Sequence, residues 1–283
     1  MIICFTTDLH GRVNLYEQAA HLVSRTEADL LIFGGDMLPD GDMSDPCPVQ
    51  AGFVRGWLTD WLQRLRRERP TCRVATVFGN HDWLCAVRAT EQLEAEGLLT
   101  VLRPDRPVEF DGWKILGYSY SPPSPFLVKD LERLDCPGDD TPVAGGGYWD
   151  EATGKVVEAK VPDYFTSLPT IQEDLADVPA VEGRWIFVSH SPPFKSHLDR
   201  LITGQPVGSR AIRSFVEDRA PDISLHGHLH DSPEVSHHFY ERIGRTMAIN
   251  PGQGTASLAA VTFDPSDVAG TIQPHGVQIP AQK

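Results

Sequence analysis

The chain has 283 residues, 41% of them hydrophobic and 23% charged, and a formal net charge of −14. This is an ordinary globular composition, and the acidity argues against non-specific binding to nucleic acid or acidic membranes. No apolar run approaches the roughly 20 residues of a membrane-spanning helix.

Predicted strands and helices alternate in the first half of the chain. The N-terminal stretch MIICFTTDLHG does not resemble a signal peptide and is predicted to begin with a buried strand, which favours a cytoplasmic protein. Residues 15–28 have helical spacing, and residues 53–68 form another predicted helix, with an aromatic stripe typical of a core-facing surface. The runs DLLIFGGD and RVATVFGNHD are predicted as further strands, and residues 108–120 as a hairpin turning at Asp111-Gly112.

The pattern then breaks off over residues 121–169, which are rich in proline, glycine and acids. Connections of such length are usually functional lids or disordered. One hypothesis is a loop over a functional site, with Tyr148 and Trp149 as possible substrate contacts. The alternative is a surface excursion without a role in the site.

A helix is predicted to start after this segment, because Thr170 and Glu173 have capping-box spacing. A strand RWIFVSH, a helix GSRAIRSFVEDRA, a strand PDISLHGHLH and an antiparallel strand tail follow. No linker divides the chain, so residues 1–283 are predicted to form a single α/β layered domain with a long insertion at about 121–169. Five cysteines are scattered and never spaced as CxxC, which argues against a disulfide framework and a zinc ribbon.

Metal-type side chains follow the predicted strands repeatedly, which is where open α/β sheets place their sites. Taken singly, each residue has an ordinary structural explanation, such as a helix cap, a turn or a hydrogen-bonded core histidine. Their coincidence at five strand ends favours a functional site. The residues are Asp8 and His10 after the first strand, Asp36 after the second, Asn80, His81 and Asp82 after the third, His190 after RWIFVS, and His228 and His230 after DISL.

The ordered set DLH, GGD, GNHD, SH and GHLH resembles the calcineurin-like metallophosphoesterase superfamily, whose pattern is DxH, GD, GNH[DE], H and GHxH. The resemblance extends from Ile2 to about Asn250, and softer features resemble a bacterial and archaeal group of small phosphoesterases. It implies a four-layer αββα sandwich with two metal ions at the strand ends. The implied ligands are Asp8, His10, Asp36 and His230 for one metal, and Asp36, Asn80, His190 and His228 for the other.

The same resemblance implies that metal-bound hydroxide attacks a small phosphoester substrate, with a phosphodiester favoured over a phosphomonoester. Mixed imidazole and carboxylate ligands suit manganese, iron or zinc better than magnesium or calcium. His81 would stabilise the phosphoryl oxygens or protonate the leaving group, while His226 is expected not to be a ligand. No organic cofactor is predicted.

One departure from the family pattern leaves an alternative open. The protein phosphatase signature GDxxDRG is absent, because Asp36 begins DMLPDG. The residue that orients His81 is therefore either Asp40 or Asp82. Some relatives keep this fold as a non-catalytic scaffold for protein binding, but every expected ligand position is filled here, which favours an enzyme.

Overall fold

The alternating strands and helices form two six-stranded sheets. The structure, a computed structural model, describes residues 1–40, 45–143 and 145–280. Its strands are β1 Ile3–Thr6, β2 Leu30–Gly34, β3 Arg73–Val77, β4 Thr100–Val101, β5 Val108–Phe110, β6 Trp113–Tyr118, β7 Gly146–Asp150, β8 Lys155–Ala159, β9 Trp185–Ser189, β10 Ile223–His226, β11 Tyr240–Ile243, β12 Thr246–Ile249, β13 Ala260–Phe263 and β14 Gln273–His275. Its helices are α1 Val13–Thr26, α2 Pro46–Phe53, α3 Thr59–Glu68, α4 Leu84–Ala95, α5 Asp163–Thr166, α6 Ile171–Ala176, α7 Arg210–Arg219, α8 Ser232–Ser236 and α9 Val268–Thr271, with a π-helical turn Val54–Leu58 joining α2 to α3.

The first sheet has the order β14-β13-β1-β2-β3-β4 and is parallel from β1 to β4. The central strands β1 and β2 are buried on both faces, and alternate side chains of each strand point to opposite sides of the sheet. Ile3 and Phe5 face the second sheet, whereas Cys4 packs with the helices α1 to α4. This explains why β1 is apolar throughout rather than alternating with polar residues.

The second sheet has the order β11-β12-β10-β9-β6-β5, with β6, β9, β10 and β12 parallel. Its inner residues, such as Ile186 and Leu225, meet the first sheet, and its outer residues, such as Phe187, pack on α6 and α7. The layers are therefore helix, sheet, sheet and helix. The four-layer αββα sandwich predicted from the sequence is confirmed.

Most predicted elements are present, but several were missed. The helix predicted from residue 53 starts earlier, at Pro46, and passes through the π-helical turn. Helix α4 was not predicted, and residues 121–169 contain the hairpin β7–β8 and the short helix α5. The predicted antiparallel tail is present as the pairs β11–β12 and β13–β14, and β12 additionally pairs parallel with β10.

One disulfide joins Cys47 on α2 to Cys85 on α4, although the cysteine spacing argued against a disulfide framework. The two helices pack side by side, and this proximity cannot be read from a separation of 38 residues. Within the described ranges, no helix combines the length and apolar character needed to cross a membrane.

Candidate metal centre

The five predicted strand ends lie at one edge of the sandwich. β1, β2 and β3 contribute residues from the first sheet, and β9 and β10 contribute residues from the second. Since the parallel strands of a sheet end at the same edge, residues that are far apart in the sequence meet there. Three groups of three potential ligands result, an outer group, an inner group and a third group, His10, Asp40 and His81, that shares His10 with the outer one.

The outer group consists of Asp8, His10 and His230, each offering a ligand atom within 4.8 Å of the others. Nε2 of His230 lies 3.3 Å from Oδ1 of Asp8 and 3.3 Å from Nε2 of His10. Two imidazole nitrogens converge here on one carboxylate. A cation between them would satisfy all three groups, which is the donor chemistry of a transition-metal site.

The inner group consists of Asp36, His190 and His228, with the same mutual spacing. Nε2 of His190 lies 3.4 Å from Oδ2 of Asp36 and 3.2 Å from Oδ1 of Asn80. Nδ2 of Asn80 is buried and has no hydrogen-bond partner in the described part of the chain. The side chain of Asn80 therefore directs its oxygen, rather than its nitrogen, toward His190. An amide oxygen, a carboxylate and two imidazoles in this position fit a metal ion.

Asp36 belongs to the inner group and also faces the outer group. Its Oδ2 is 3.4 Å from Nε2 of His190 and 3.8 Å from Nε2 of His10, and its Oδ1 accepts the backbone N–H of His81 at 2.8 Å. This geometry supports the bridging role that the sequence resemblance implied for Asp36.

Four of the candidate ligands have a strained backbone conformation. Asp8, His10, Asp36 and His228 all have left-handed φ angles of 58°, 46°, 48° and 67°. Such conformations cost free energy for non-glycine residues and concentrate at functional sites. Gly79 is required for a different reason, because a Cβ there would lie 2.3 Å from Oδ1 of Asp36 and 2.5 Å from Nε2 of His190.

The charges of the two groups depend on each other. Burial alone would raise the pKa of Asp36, but the neighbouring imidazoles, His190 first, hold it well below its usual value. Burial would likewise lower the pKa of His190, yet Asp36 and Asp8 raise it to about 9. His228 stays neutral, since burial and the charge of His190 lower its pKa to about 3. The carboxylate of Asp36 is thus ionised and is paired with the imidazole of His190.

His81 belongs to neither the outer nor the inner group, but it forms the third group of potential ligands with His10 and Asp40. Its Nδ1 lies 3.1 Å from Oδ1 of Asp40, and its ring contacts the ring of His10 at a centroid distance of 5.0 Å. Burial acts to lower the pKa of His81, but the carboxylates of Asp40 and Asp36 outweigh it and raise the pKa to about 9. The imidazole is thus favoured in its protonated, hydrogen-bond-donating form.

The structure separates the two acids that the sequence left as alternatives for orienting His81. Asp40 meets the imidazole directly and is itself largely exposed, with 66% of its side chain accessible. Asp82 is buried and instead accepts the backbone N–H groups of Leu38 and Gly79 at 2.9 Å each. Asp82 therefore joins the loops that follow β2 and β3, and Asp40 is the acid in contact with His81.

His226 occupies a separate environment inside the second sheet. Its Nε2 lies 2.9 Å from Oγ of Ser224, and its Nδ1 lies 3.2 Å from the carbonyl oxygens of Ser189 and Ser191. Burial lowers its pKa to about 4. No carboxylate is among these partners, and His226 is absent from all three groups.

Two supporting residues were not identified from the sequence. The amide of Asn250 donates to the carbonyl oxygens of Leu198, Gly227 and Leu229, which fastens the loop that carries His228 and His230. The NPG sequence that begins at Asn250 is the only signal of this role. Gln50 bonds to the loops on either side of His81, and nothing in the sequence pattern pointed to it.

The comparisons with known proteins concern the family and the fold. The family model described as calcineurin-like phosphoesterase matches residues 1–232. One solved crystal structure superposes with a TM-score of 0.62 at 15% identity, covering 98% of this chain and 99% of that chain. The crystal structure of TT1561 of Thermus thermophilus superposes with a TM-score of 0.59, also at 15% identity and with the same coverage. No curated protein matches the sequence. The two structures show a shared fold.

Proposed function

The chain belongs to the calcineurin-like phosphoesterase family, and from this membership we propose that it hydrolyses a small phosphodiester with two bound metal ions. Membership makes the protein a metal-dependent phosphoric ester hydrolase. The observation that carries the more specific proposal is that Asp36, a member of the inner group, also lies 3.8 Å from His10 of the outer group.

In this proposal the outer group and Asp36 hold one metal ion, and Asp36, Asn80, His190 and His228 hold the other. Bound there, the ions would supply an activated water and positive charge for the phosphoryl oxygens. Imidazole and carboxylate ligands favour manganese, iron or zinc. The strained backbone at Asp8 and Asp36 keeps the carboxylates in place before substrate arrives.

The protein's own groups supply the proton for the leaving group. Nδ1 of His81 donates to Asp40, which leaves Nε2 as the proton-bearing atom free to reach a substrate oxygen. Asp40 fixes the ring and favours the imidazolium form. The leaving oxygen then departs as an alcohol, because His81 transfers the proton as the phosphorus–oxygen bond breaks.

A phosphodiester is favoured over a phosphomonoester on electrostatic grounds. His10 and His81 donate to Asp40 and hold its pKa well below the usual value, so a largely exposed carboxylate stays charged beside His81. A monoester dianion would meet more repulsion from this carboxylate than a diester monoanion does. The runner-up is a phosphomonoesterase of the same fold.

The test is a substrate screen with defined metals. Apoprotein is reloaded singly with manganese, iron, zinc or magnesium and assayed on bis(4-nitrophenyl) phosphate, 4-nitrophenyl phosphate and cyclic nucleotides. The proposal expects metal-dependent hydrolysis with a higher kcat/KM for diesters. A clear preference for the monoester would establish the runner-up, and hydrolysis of none of these substrates with any metal would contradict the proposal.

A further inference from the structure

Residues 124–132, in the segment between β6 and β7, enclose a buried ion pair. The side chains of Lys129 and Glu132 are both fully buried, and Nζ of Lys129 lies 2.7 Å from Oε2 of Glu132. Nζ also donates to the carbonyl oxygen of Ser124 at 2.9 Å, and Ser124 Oγ donates to Glu132. A buried ion pair recovers its desolvation cost only with such complete partners, and it holds the chain in one conformation.

The same loop is fastened to the hairpin β7–β8. The backbone N–H of Gly147 donates to the carbonyl oxygen of Leu127 at 2.7 Å, and the N–H of Lys129 donates to the carbonyl oxygen of Gly147 at 2.8 Å. Tyr148 and Trp149, which the sequence suggested as substrate contacts, also have packing partners within the protein. Tyr148 stacks on Tyr164, and Trp149 packs in a small cluster with Trp83.

Phe126 is the residue of this loop that meets the candidate metal centre. Its ring lies edge-on to the ring of His81 at a centroid distance of 4.6 Å. Nearly half of Phe126 is nevertheless exposed, at 47%. Phe126 is thus a large apolar ring that is half-exposed and lies against the imidazole of His81. Such a ring provides a surface on which a planar group of the substrate can stack.

We propose that Phe126 binds the leaving group and selects phosphodiesters whose leaving group carries a planar aromatic ring. This inference rests on the proposed function, in which His81 protonates the leaving oxygen. The atoms attached to that oxygen must lie beside His81, where Phe126 provides apolar surface. An aryl group and a nucleobase share the planar chemistry that this surface recognises.

The test compares two methyl phosphodiesters of matched leaving-group acidity, one with a phenol and one with a fluorinated alkyl alcohol. Phe126→Ala should lower the ratio of their kcat/KM values, phenyl over alkyl, by roughly 5- to 30-fold, as loss of one aromatic stacking partner does. Phe126→Trp should restore the ratio, whereas Phe126→Leu should not. A nucleoside methyl phosphodiester in the same series distinguishes aryl groups from nucleobases.

Leu127→Ala is the matched control, because Leu127 is the adjacent apolar residue and is 56% exposed. The ratio should stay at its wild-type value in this variant. Equal ratios in wild type and Phe126→Ala, or equal losses in Leu127→Ala and Phe126→Ala, would overturn the inference.

Calorimetric binding of phenylphosphonate and methylphosphonate gives a readout that does not need turnover. Wild type should prefer the phenyl compound, and Phe126→Ala should lose that preference. If wild type hydrolyses neither diester but prefers phenylphosphonate, the proposed function fails while the aromatic surface stands. If hydrolysis proceeds and no phenyl preference is found in either assay, the aromatic surface fails alone.

A different observation concerns the buried amide of Gln50. Its Nε2 donates to the carbonyl oxygens of Pro39 at 2.9 Å and His81 at 2.8 Å, and its Oε1 accepts the backbone N–H of Trp83 at 2.8 Å. Pro39 directly precedes Asp40, and Trp83 follows the GNHD loop. One side chain thus ties the segment that carries Asp40 to the segment that carries His81.

We infer that Gln50 is a positioning residue that sets the Asp40–His81 contact. Gln50→Met, which keeps the volume and removes all three hydrogen bonds, should lower kcat by roughly 10- to 100-fold, the range found for groups that orient catalytic ligands. KM should change much less, and the loss should be larger for poor leaving groups. Gln50→Glu keeps the acceptor for Trp83 but directs a carboxylate oxygen at the carbonyl oxygens of Pro39 and His81, and it should be impaired at least as much.

A double-variant cycle separates positioning from a general structural role. In the His81→Ala background, adding Gln50→Met should cause no further loss of kcat, because the residue through which Gln50 acts is already gone. Metal content should be unchanged throughout. Losses that multiply in the double variant, or a fall in metal content with Gln50→Met, would overturn the inference.

Discussion

His190 and His226 lie at the ends of neighbouring strands of the second sheet, and both are completely buried. Burial lowers the pKa of each imidazole, but at His190 the carboxylates of Asp36 and Asp8 outweigh burial and raise the pKa to about 9. At His226 the partners are backbone carbonyls and Ser224, and the pKa falls to about 4. Carboxylate neighbours, rather than burial or strand position, therefore distinguish a potential metal ligand from a structural histidine.

We expect the largest loss of activity from substitution of Asp36, whose carboxylate raises the pKa of His190 above that of His226. Asp36→Asn removes the charge next to both His190 and His10, so both metal positions should weaken together. We expect kcat/KM to fall by at least about 10³-fold, because metal stabilisation of the transition state is worth several kcal/mol. Steady-state kinetics with elemental analysis measures this. Loss of only one metal equivalent would contradict the shared position of Asp36.

His81, like His190, has a carboxylate partner, which is Asp40, but it belongs to neither the outer nor the inner group. His81→Ala should lower kcat by about 10²–10⁴-fold, as expected for a general acid, and should leave metal content unchanged. The loss should shrink for substrates with acidic leaving groups, which need little protonation. Equal losses for good and poor leaving groups would make His81 an electrostatic stabiliser, and loss of metal would make it a ligand.

The two acids near His81 should give different phenotypes. Asp40→Asn removes the charge that orients His81 and should lower kcat by about 10- to 100-fold, with the protein as stable as wild type because Asp40 is exposed. Asp82→Ala instead removes the buried acceptor of two loop N–H groups and should lower the free energy of unfolding by about 1–3 kcal/mol. Kinetics and chemical denaturation of both variants decide this. A kinetic defect confined to Asp82→Ala would reverse the assignment.

The last effect concerns the buried His226 and is absent at neutral pH. The pKa of His226 falls from 6.5 to about 4 on burial, so the folded state disfavours its protonation. Above pH 6.5 the imidazole is neutral in both the folded and the unfolded state, and the free energy of unfolding is unaffected. As the pH falls from 6.5 through 4, the unfolded chain binds a proton that the folded protein does not, and the free energy of unfolding decreases by up to about 3 kcal/mol. His226→Gln cannot be protonated and should lose less stability over that interval. Parallel pH dependences of the two unfolding free energies would show that His226 does not cause the acid sensitivity.

The sequence predicted the motif residues because each follows a short apolar run, and parallel strands bring such positions to one edge. It also separated His226 from His228 and His230, although only through the family resemblance. It could not reveal Gln50 or Phe126. Gln50 bonds to a carbonyl oxygen 31 positions away, and Phe126 meets His81 through a loop whose shape depends on a buried ion pair.

The missed elements have similar causes. α4 buries small residues such as Ala86 and Ala89, so its apolar face is weak in the sequence. The hairpin β7–β8 is half-exposed and flanked by prolines and glycines, which masks its strand pattern. The choice between Asp40 and Asp82 depended on backbone geometry after β2, where Asp36 adopts a left-handed conformation.

Metal content of the matched variants His190→Ala and His226→Ala tests the central claim most directly. Both proteins are purified, reloaded with the same metal and analysed by elemental mass spectrometry together with wild type. Wild type should bind about two equivalents per chain; His190→Ala should lose at least one of them, and His226→Ala should keep both. Equal metal loss in the two variants, or full occupancy in His190→Ala, would contradict the assignment of the site.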